Sequence, residues 1–318
     1  MKWIFLIIAS LTLFAANLAI GSVELSFEDV LVEQKNSIFA IRLEESIIAL
    51  LAGAALSIGG LFMQTLFRNP LAGPSVLGIS SGASLAVAIA MLSMGGISAL
   101  FLPFYAILGS ALFLFVLLAI ALRVRQNVTL LIVGLLLGYG VSAGIGLLEV
   151  FSPSESLKKY VLWGMGSFFP VAKSTYWMMA LLVLPVLCLS FFLLKPLDAL
   201  LLGEEHAQSL GVNTQKTRLW VIVVTAWLTG VVTAFCGPIA FLGLMVPHLA
   251  RILFKASAHR ILIPGVILMG ATLALLANLI AKMPGFIERV PVNIITSILG
   301  IPVIIWIILE NRKAKIIS

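Results

Sequence analysis

Long runs of apolar residues dominate this chain, and short polar segments separate them. A helix needs about 20 consecutive apolar residues to cross the hydrocarbon core of a bilayer. Eight runs reach about that length, and two more are shorter or are interrupted by glycine, serine or proline. The pattern therefore predicts an all-α polytopic membrane protein with about ten transmembrane helices. The long runs are 3–20, 46–67, 98–122, 128–150, 176–194, 219–237, 261–281 and 294–310, and the shorter runs are 76–95 and 239–254.

The polar segments are too short to fold as a second domain, so residues 1–318 are predicted to form a single transmembrane domain. Ten crossings, an even number, place both termini on the same side of the membrane. Lys2 precedes the first run, as in a secretory signal peptide, but the run is long for one and no clear cleavage site follows it. We therefore expect the first run to be a retained transmembrane helix.

The composition agrees with a lipid environment. Hydrophobic residues make up 61% of the chain, charged residues make up 10%, and the mean hydropathy is +1.18, whereas a soluble domain carries about 25% charged residues. The net charge of +7 does not indicate nucleic acid, because no basic run is interleaved with aromatic residues. An excess of Lys and Arg is instead typical of the cytoplasmic loops of membrane proteins. Membrane lipid, and not nucleic acid, is the expected surrounding.

Charge asymmetry predicts the orientation of the chain. With the N-terminus in the cytoplasm, the inner segments hold 13 of the 20 basic residues and only 4 of the 13 acidic residues. This distribution satisfies the positive-inside rule, and the opposite orientation violates it. Both termini are therefore predicted to be cytoplasmic. The inner basic residues are Lys2, Arg68, Arg123, Arg125, Lys195, Lys216, Arg218, Arg251, Lys255, Arg260, Arg312, Lys313 and Lys315.

Several functions are disfavoured by what the sequence lacks. No Asp, Glu, Lys or Arg lies near the middle of a predicted transmembrane run, where ion-coupled carriers usually place a charge. A stand-alone secondary transporter stays as the alternative, supported only by the glycines and prolines of 238–247. The chain has no phosphate-binding P-loop and no HExxH zinc motif. A membrane-embedded enzyme is therefore also disfavoured.

Three segments differ from generic membrane sequence. Residues 64–74 read QTLFRNPLAGP, and the helix before them should end at the Asn-Pro step because a residue that precedes proline avoids the helical region. Residues 237–251 read GPIAFLGLMVPHLAR, which combines two prolines and two glycines in a run too short for an ordinary span. Residues 202–212 read LGEEHAQSLGV and predict a short amphipathic helix with a glycine at each end. Taken singly, these segments also fit ordinary helix connections and a solvated loop helix.

Four glycines of the run 128–150 form two pairs with helical i, i+4 spacing. Such pairs let helix backbones approach closely within lipid. They indicate either packing within one subunit or a helix that lines a subunit interface or a pathway. The candidate pathway and dimer-interface residues are Gly134, Gly138, Gly140 and Gly144.

Together, the segments resemble the permease family of iron-siderophore, heme and vitamin B12 importers of the ABC type. The resemblance covers nearly the whole chain, and it also includes Pro291-Val292-Asn293-Ile294-Ile295-Thr296 followed by Gly300-Ile301-Pro302. It implies ten spanning helices per subunit and a homodimer in the bacterial cytoplasmic (inner) membrane. It also implies two ATPase subunits on the cytoplasmic side, which would bind ATP and magnesium, and a substrate-binding protein on the outer side. No cofactor is expected on this chain, and an iron-siderophore is the default substrate, with heme and cobalamin as alternatives.

The resemblance also assigns roles to individual residues. It implies that the short helix within 202–212 contacts the ATPase and transmits its motion. It also implies that charges at the outer ends of the runs 46–67 and 261–281 contact the binding protein. His248 is interpreted as a packing or hydrogen-bonding residue and not as a metal ligand. The ATPase-coupling residues are Leu202, Gly203, Glu204, Glu205, His206, Ala207, Leu210 and Gly211; the docking residues are Arg42, Glu45 and Lys282; the structural motif residues are Arg68, Asn69, Pro70, Pro247, His248 and Arg251.

The sequence departs from the family pattern at the predicted docking surface. The family often has Arg-Leu-Pro-Arg before the second run, where this chain has Arg42-Leu43-Glu44-Glu45. The family's Asp and Arg near the end of the ninth run correspond here to Asn278 and Lys282, and its Pro-Val-Gly corresponds to Pro291-Val292-Asn293. Since Glu45 reverses a charge, we expect a basic residue of the partner to face it.

Overall fold

The computed structural model describes residues 1–21, 33–93, 99–124, 126–170, 175–283 and 289–316. Some residues of the predictions lie outside the described part of the chain. They are residues 94 and 95 of the predicted run 76–95, residue 98 of the run 98–122, Arg125, and the side chains of Arg312, Lys313 and Lys315. The described part of the chain contains α-helices and short 3₁₀ or π segments, and no strand. The helices are α1 Lys2–Ala19, α2 Glu33–Leu66, α3 Ile79–Ala88, α4 Leu102–Arg123, α5 Asn127–Val150, α6 Ser154–Gly164, α7 Thr175–Ser190, α8 Leu194–Leu201, α9 Glu204–Ser209, α10 Thr214–Cys236, α11 Leu242–Phe254, α12 His259–Ala281 and α13 Val292–Ile316.

Seven helical spans are long and apolar enough to cross a membrane, and three shorter apolar helices accompany them in the described residues. The prediction of an all-α polytopic membrane protein is confirmed, and these ten apolar helices match the number expected. The seven long spans are Lys2–Ala19, Ile38–Leu66, Leu102–Arg123, Asn127–Val150, Thr175–Leu201, Thr214–Cys236 and His259–Ala281; the shorter ones are Ile79–Ser93, Leu242–Phe254 and Val292–Ile307.

Two helices differ from the predicted runs at their ends. α2 begins at Glu33, well before residue 46, and it includes Arg42 and Glu45, which find partners inside the protein, as described below. The predicted run 176–194 is divided by a 3₁₀ turn at Phe191–Leu193, and the helix resumes as α8. Pro196 fits the first turn of α8, where its missing N–H costs no helical hydrogen bond.

α2 forms the centre of the bundle, and α12, α10 and α11 pack around it. In the membrane-spanning window of α2, 89% of the residues are buried, compared with 17% for α1 and for α5. Glycines make the closest crossings possible: a Cβ at Gly53 would collide with the carbonyl oxygen of Gly270 in α12, and a Cβ at Gly60 would collide with that of Gly243 in α11. These crossings fix where the ends of α2, α11 and α12 meet.

Candidate functional site

The two segments at residues 64–74 and 237–251 lie against each other at the end of the bundle that also carries α9. Gln64 Nε2 donates a hydrogen bond to the carbonyl oxygen of Leu244 at 3.0 Å, and Gln64 Oε1 accepts one from Arg251 Nη1 at 2.6 Å. Gln64 therefore bridges the end of α2 to both the first and the last turn of α11. Both partners are far from Gln64 in the sequence, so this contact depends on the packing of the bundle.

The structural motif residues form the turn that follows α2. Arg68 adopts a positive φ of 47°, which turns the chain out of the helix, and Asn69 Oδ1 accepts a hydrogen bond from the Leu71 N–H at 2.9 Å. The carbonyl oxygen of Pro70 lies 2.8 Å from His248 Nε2 in α11. His248 thus makes a structural hydrogen bond, and Pro247 beside it lies inside α11.

The segment that the family resemblance assigns to the ATPase lies at the surface of the same end. α9 stands between Gly203 and Gly211, whose φ values of 111° and 80° favour glycine and turn the chain sharply on both sides. Ala207, on the inner face of α9, is fully buried, whereas Leu202 and Leu210 expose 62% and 64% of their surface. The segment is therefore anchored by one face and presents apolar and charged side chains on the other, which include Glu204, Glu205 and His206.

Two clefts border α9, and Glu204 contributes to both of them. The larger has a volume of about 600 Å³ and lies between the turn at Arg68, the start of α5 and the α9 segment. Asn127, the first residue of α5, donates hydrogen bonds to Glu204 Oε1 at 2.6 Å and to the carbonyl oxygen of Leu66 at 3.2 Å. The side chain of Asn127 thus connects α9 to the end of α2, a contact that the sequence analysis did not predict.

The predicted docking residues lie together at the opposite end of the bundle, but they are buried. Arg42, Glu45 and Lys282 each expose 5% or less of their surface. Arg42 Nη1 donates to the carbonyl oxygens of Leu18 and Ala19 at 2.9 and 2.7 Å, and Lys282 Nζ donates to that of Asn17 at 2.7 Å. The two cations therefore satisfy the last carbonyl groups of α1, which have no partner within a helix.

Glu45 pairs with basic residues of its own chain, and the expectation that it faces a basic residue of a partner stays a prediction. Glu45 Oε1 accepts a hydrogen bond from Arg289 Nη1 of the same chain at 2.7 Å, and Lys282 Nζ lies 3.8 Å from Glu45 Oε2. Arg289 also lies over the ring of Phe169, with 4.5 Å between the guanidinium carbon and the ring centroid. Arg289 was not predicted from the sequence; its side chain is 44% exposed, and it is the outermost cation of this group.

Asn293, which stands where the family has glycine, holds the broken connection between α10 and α11. Its Oδ1 accepts a hydrogen bond from the Ala240 N–H at 2.9 Å, and its Nδ2 donates to the carbonyl oxygen of Pro238 at 2.7 Å. The connection is strained at Phe241, where φ is 66°. The amide of Asn293 therefore ties the start of α13 to this connection. The departure from the family pattern was visible in the sequence, but its consequence was not.

α6 covers part of the same end as Arg289. Tyr160 is the residue of α6 that is most buried, and its hydroxyl lies 3.5 Å from the carbonyl oxygen of Ser84. Burial raises the pKa of Tyr160 to about 12, and the nearby carboxylate of Glu149 acts in the same direction. The phenol therefore stays protonated and acts as a hydrogen-bond donor.

The four glycines of α5 separate into two environments. Gly134 is buried, and a Cβ at Gly138 would lie 3.5 Å from Ser81 Oγ of α3, so this pair packs within the chain. A Cβ at Gly140 or at Gly144 would meet nothing within 4 Å. The second pair therefore lies on an open face of the helix, and the role of all four glycines at a pathway or dimer interface stays a prediction.

Residues Gly78–Gly82 spell G-x-S-x-G, a spacing known from the nucleophile turn of α/β-hydrolases. Here the segment follows a 3₁₀ turn at Pro74–Leu77 and begins α3, whereas the hydrolase turn follows a strand. Ser80 Oγ lies 3.5 Å from Thr233 Oγ1, a hydroxyl that cannot act as a general base. In the described residues, no group of three or more His, Cys, Asp or Glu side chains could hold a metal ion.

Comparison with known proteins places this architecture in a family. The model of the FecCD transport family matches residues 4–310. The vitamin B12 import system permease protein BtuC of Klebsiella pneumoniae subsp. pneumoniae is 40% identical over 276 residues, which are 86% of this chain and 83% of that protein. The protein of the same name from Citrobacter koseri is 38% identical over 280 residues, which are 87% of this chain and 84% of the relative.

Solved structures agree with the sequence relatives. An ABC transporter of metal-chelate type in an inward-facing conformation superposes with a TM-score of 0.86 at 28% identity, over 97% of this chain and 98% of the other. PsaBC from Streptococcus pneumoniae, solved with a Fab, superposes with a TM-score of 0.59 at 16% identity, over 83% and 89% of the two chains, and shares the fold alone. The chain therefore belongs to the FecCD transport family, as a multi-pass membrane protein that is a permease subunit of an ABC importer and not an enzyme.

Proposed function

We propose that two copies of this chain form the membrane pathway of an importer for a metal chelate, the class that includes iron-siderophores, heme and cobalamin. The family match over residues 4–310 and relatives named for vitamin B12 import support this class. The described parts of the spans carry no charged residue near their middle, so a bulky chelate would meet apolar and weakly polar walls. Cobalamin is the first substrate to test, and iron-siderophores and heme follow.

The proposed assembly places different partners at the two ends of the bundle. Two ATPase subunits, which bind ATP and magnesium, contact the α9 end on the cytoplasmic side, and this chain itself binds no cofactor. A substrate-binding protein contacts the opposite end. Residues 1–318 act as one permease domain in the bacterial cytoplasmic membrane, with both termini in the cytoplasm, since the basic residues concentrate on that side.

The observation that carries this arrangement is the surface helix α9 and its exposed neighbours. Leu202 and Leu210 flank the charged helix α9, and Ala207 anchors the buried side of this helix in the protein. The segment can therefore enter a groove of another protein as one rigid unit. The clefts beside α9 leave room for a partner to surround it. Movement of an ATPase that holds α9 would be passed to the permease through this segment.

The other proposed interfaces follow from exposure. The open face of α5 at Gly140 and Gly144 is proposed to meet the second copy or the pathway, and Gly134 and Gly138 support that helix from behind. The binding protein is proposed to dock over the end of the bundle where Arg42, Glu45 and Lys282 lie beneath the surface. Arg289 is the exposed cation there that an acidic partner would reach first.

Reconstitution tests the proposal. The permease, its ATPase and its binding protein, taken from the same gene neighbourhood, are placed in proteoliposomes with cyanocobalamin, an iron(III)-hydroxamate siderophore or heme as the probe. We expect ATP-dependent uptake of one probe and no ATP hydrolysis by the permease alone. Uptake by the permease alone that is driven by an ion gradient would overturn the proposal. A strain that lacks the gene should lose growth on the transported chelate.

A further inference from the structure

A series of three hydrogen-bonded polar side chains, two of them buried, links α8 to α12 and α2 at the α9 end of the bundle. Asp198 Oδ1 accepts two hydrogen bonds from His259, one from the backbone N–H at 2.8 Å and one from Nδ1 at 2.7 Å. His259 Nε2 lies 2.9 Å from Thr65 Oγ1, and Thr65 Oγ1 lies 2.9 Å from the carbonyl oxygen of Leu61. No role was predicted from the sequence for any of these three residues.

The hydrogen-bond donors and acceptors of Asp198, His259 and Thr65 match one another. A carboxylate only accepts, so His259 Nδ1 carries a hydrogen and donates it to Asp198. Nε2 can then accept the Thr65 hydroxyl hydrogen, or it can donate its own hydrogen to Thr65 while Thr65 donates to Leu61. Both arrangements use the same positions of the heavy atoms, so the contact persists whether the imidazole is neutral or protonated.

The three residues lie at helix ends where a movement of α8 can be transmitted to α12 and α2. Asp198 lies in α8, and two backbone hydrogen bonds, from Leu202 to Ala199 and from Gly203 to Leu200, carry α8 into the turn before α9. His259 is the first residue of α12, and Thr65 is the penultimate residue of α2. α12 and α2 are the central pair of the bundle, so a displacement of α8 reaches the core directly through these hydrogen bonds.

Burial makes this link stiff. The side chain of His259 is 1% exposed, Thr65 is 2% exposed, and the side chain of Asp198 is 40% exposed toward the α9 end. A hydrogen bond in a dry interior is stronger than one in water, and a broken one leaves an unpaired polar group. The tether between Asn127 and Glu204 is solvent-exposed and therefore weaker.

We propose that Asp198, His259 and Thr65 are positioning residues that form a joint, through which displacement of α9 by the ATPase moves α2 and α12. The inference rests on the proposed function, because it takes α9 as the segment that contacts the ATPase. It adds the route by which that contact reaches the helices of the pathway.

The test measures the coupling ratio, that is, the amount of cyanocobalamin or iron(III)-hydroxamate siderophore transported per ATP hydrolysed by the full complex in proteoliposomes. Asp198→Ala removes both bonds to His259 and should lower the ratio about tenfold. Asp198→Asn keeps an acceptor oxygen for both bonds and should hold the ratio within about threefold. Thr65→Val keeps the shape, removes the contacts of the hydroxyl with His259 and Leu61, and should lower the ratio by about threefold. Glu155→Ala is the matched control, because it breaks an ion pair of the same 2.7 Å length on the exposed α6.

Thermal unfolding of each purified variant separates coupling from stability. If Asp198→Ala and Thr65→Val lower the melting temperature but leave the coupling ratio at the wild-type value, the three residues only stabilise the fold and the inference is wrong. If Asp198→Ala does not assemble, Thr65→Val decides by the same criterion. A wild-type complex that shows no ATP-driven uptake would overturn the proposed function, and the inference would fall with it.

Discussion

The two ends of the bundle use their charged residues in opposite ways. At the end where α1 and α12 finish, Arg42, Glu45 and Lys282 are buried and bond to the chain itself. At the other end, the segment 202–211 leaves most of its charged and apolar side chains exposed, with only Ala207 fully buried. Both groups were interpreted from the sequence as contacts for a partner, and only the second is exposed in this chain.

The difference shows that a charged residue near a membrane boundary has two distinct uses. A buried ion pair is needed because each charge would be unstable without the other, so its loss affects folding. An exposed charge contributes little to folding, so its loss affects binding. Four experiments, with substitutions at five positions, can break or sharpen this comparison.

Glu45→Ala should have the largest effect. It removes the carboxylate that faces Lys282 and Arg289 and leaves a buried ammonium group without its counter-ion. We expect a loss of about 3–5 kcal/mol in stability, measured as a lower unfolding temperature of the purified permease in detergent. Glu155→Ala, which breaks an exposed pair, is the control and should leave that temperature unchanged. Equal unfolding temperatures for the two variants would show that the buried network does not hold the fold.

Ala207→Pro should abolish the response of the assembled complex to its binding protein while the chain still inserts into the membrane. The Ala207 N–H donates to the carbonyl oxygen of Gly203 at 2.9 Å, and proline removes that bond at a cost of about 3 kcal/mol. The measurement is binding-protein-stimulated ATP hydrolysis, together with the amount of permease in the membrane fraction. Gln208→Ala, which keeps the helix, should lose far less. Normal stimulation in Ala207→Pro would contradict the role of α9.

Gly138→Leu and Gly140→Leu extend the comparison to α5. Leucine at 138 would press on Ser81 of α3 and should destabilise the chain by about 1–3 kcal/mol. Leucine at 140 meets open space and should leave the stability of the single chain unchanged, but should reduce dimer formation or uptake. Unfolding temperature and the mass of the detergent-solubilised permease distinguish the two. If Gly140→Leu dimerises and transports normally, the open face is not an interface.

Leu210→Ser should have the smallest effect on folding, within about 0.5 kcal/mol, because the side chain is exposed. It should nevertheless weaken binding of the ATPase, measured by its retention on the immobilised permease at increasing ATPase concentration. Leu200→Ser, on the buried face of α8, is the contrasting variant and should destabilise the chain itself. Unchanged ATPase binding by Leu210→Ser would exclude Leu210 from the contact.

Much of the fold could be predicted because lipid imposes it locally. An apolar run of about 20 residues has to become a helix, since its backbone groups find no other partner in the bilayer. The turn at Asn69-Pro70 and the two glycines around α9 are likewise set by the conformations that single residues allow. The division of the run 176–194 at Phe191–Leu193 was not predicted, because its residues are uniformly apolar and carry no local signal for a break.

The sequence by itself determined that this protein lies in lipid. It also determined the ten apolar helices seen in the described residues, the short helix α9 and the membership of the permease family. Only the tertiary structure decided which charges are exposed and which bond to other parts of the chain. Glu45 and Arg289 are 244 positions apart, and Asn293 is more than 50 positions from the turn that it holds. No local pattern encodes such pairs, because they form only when the close glycine crossings of α2 with α11 and α12 bring the ends of the helices together.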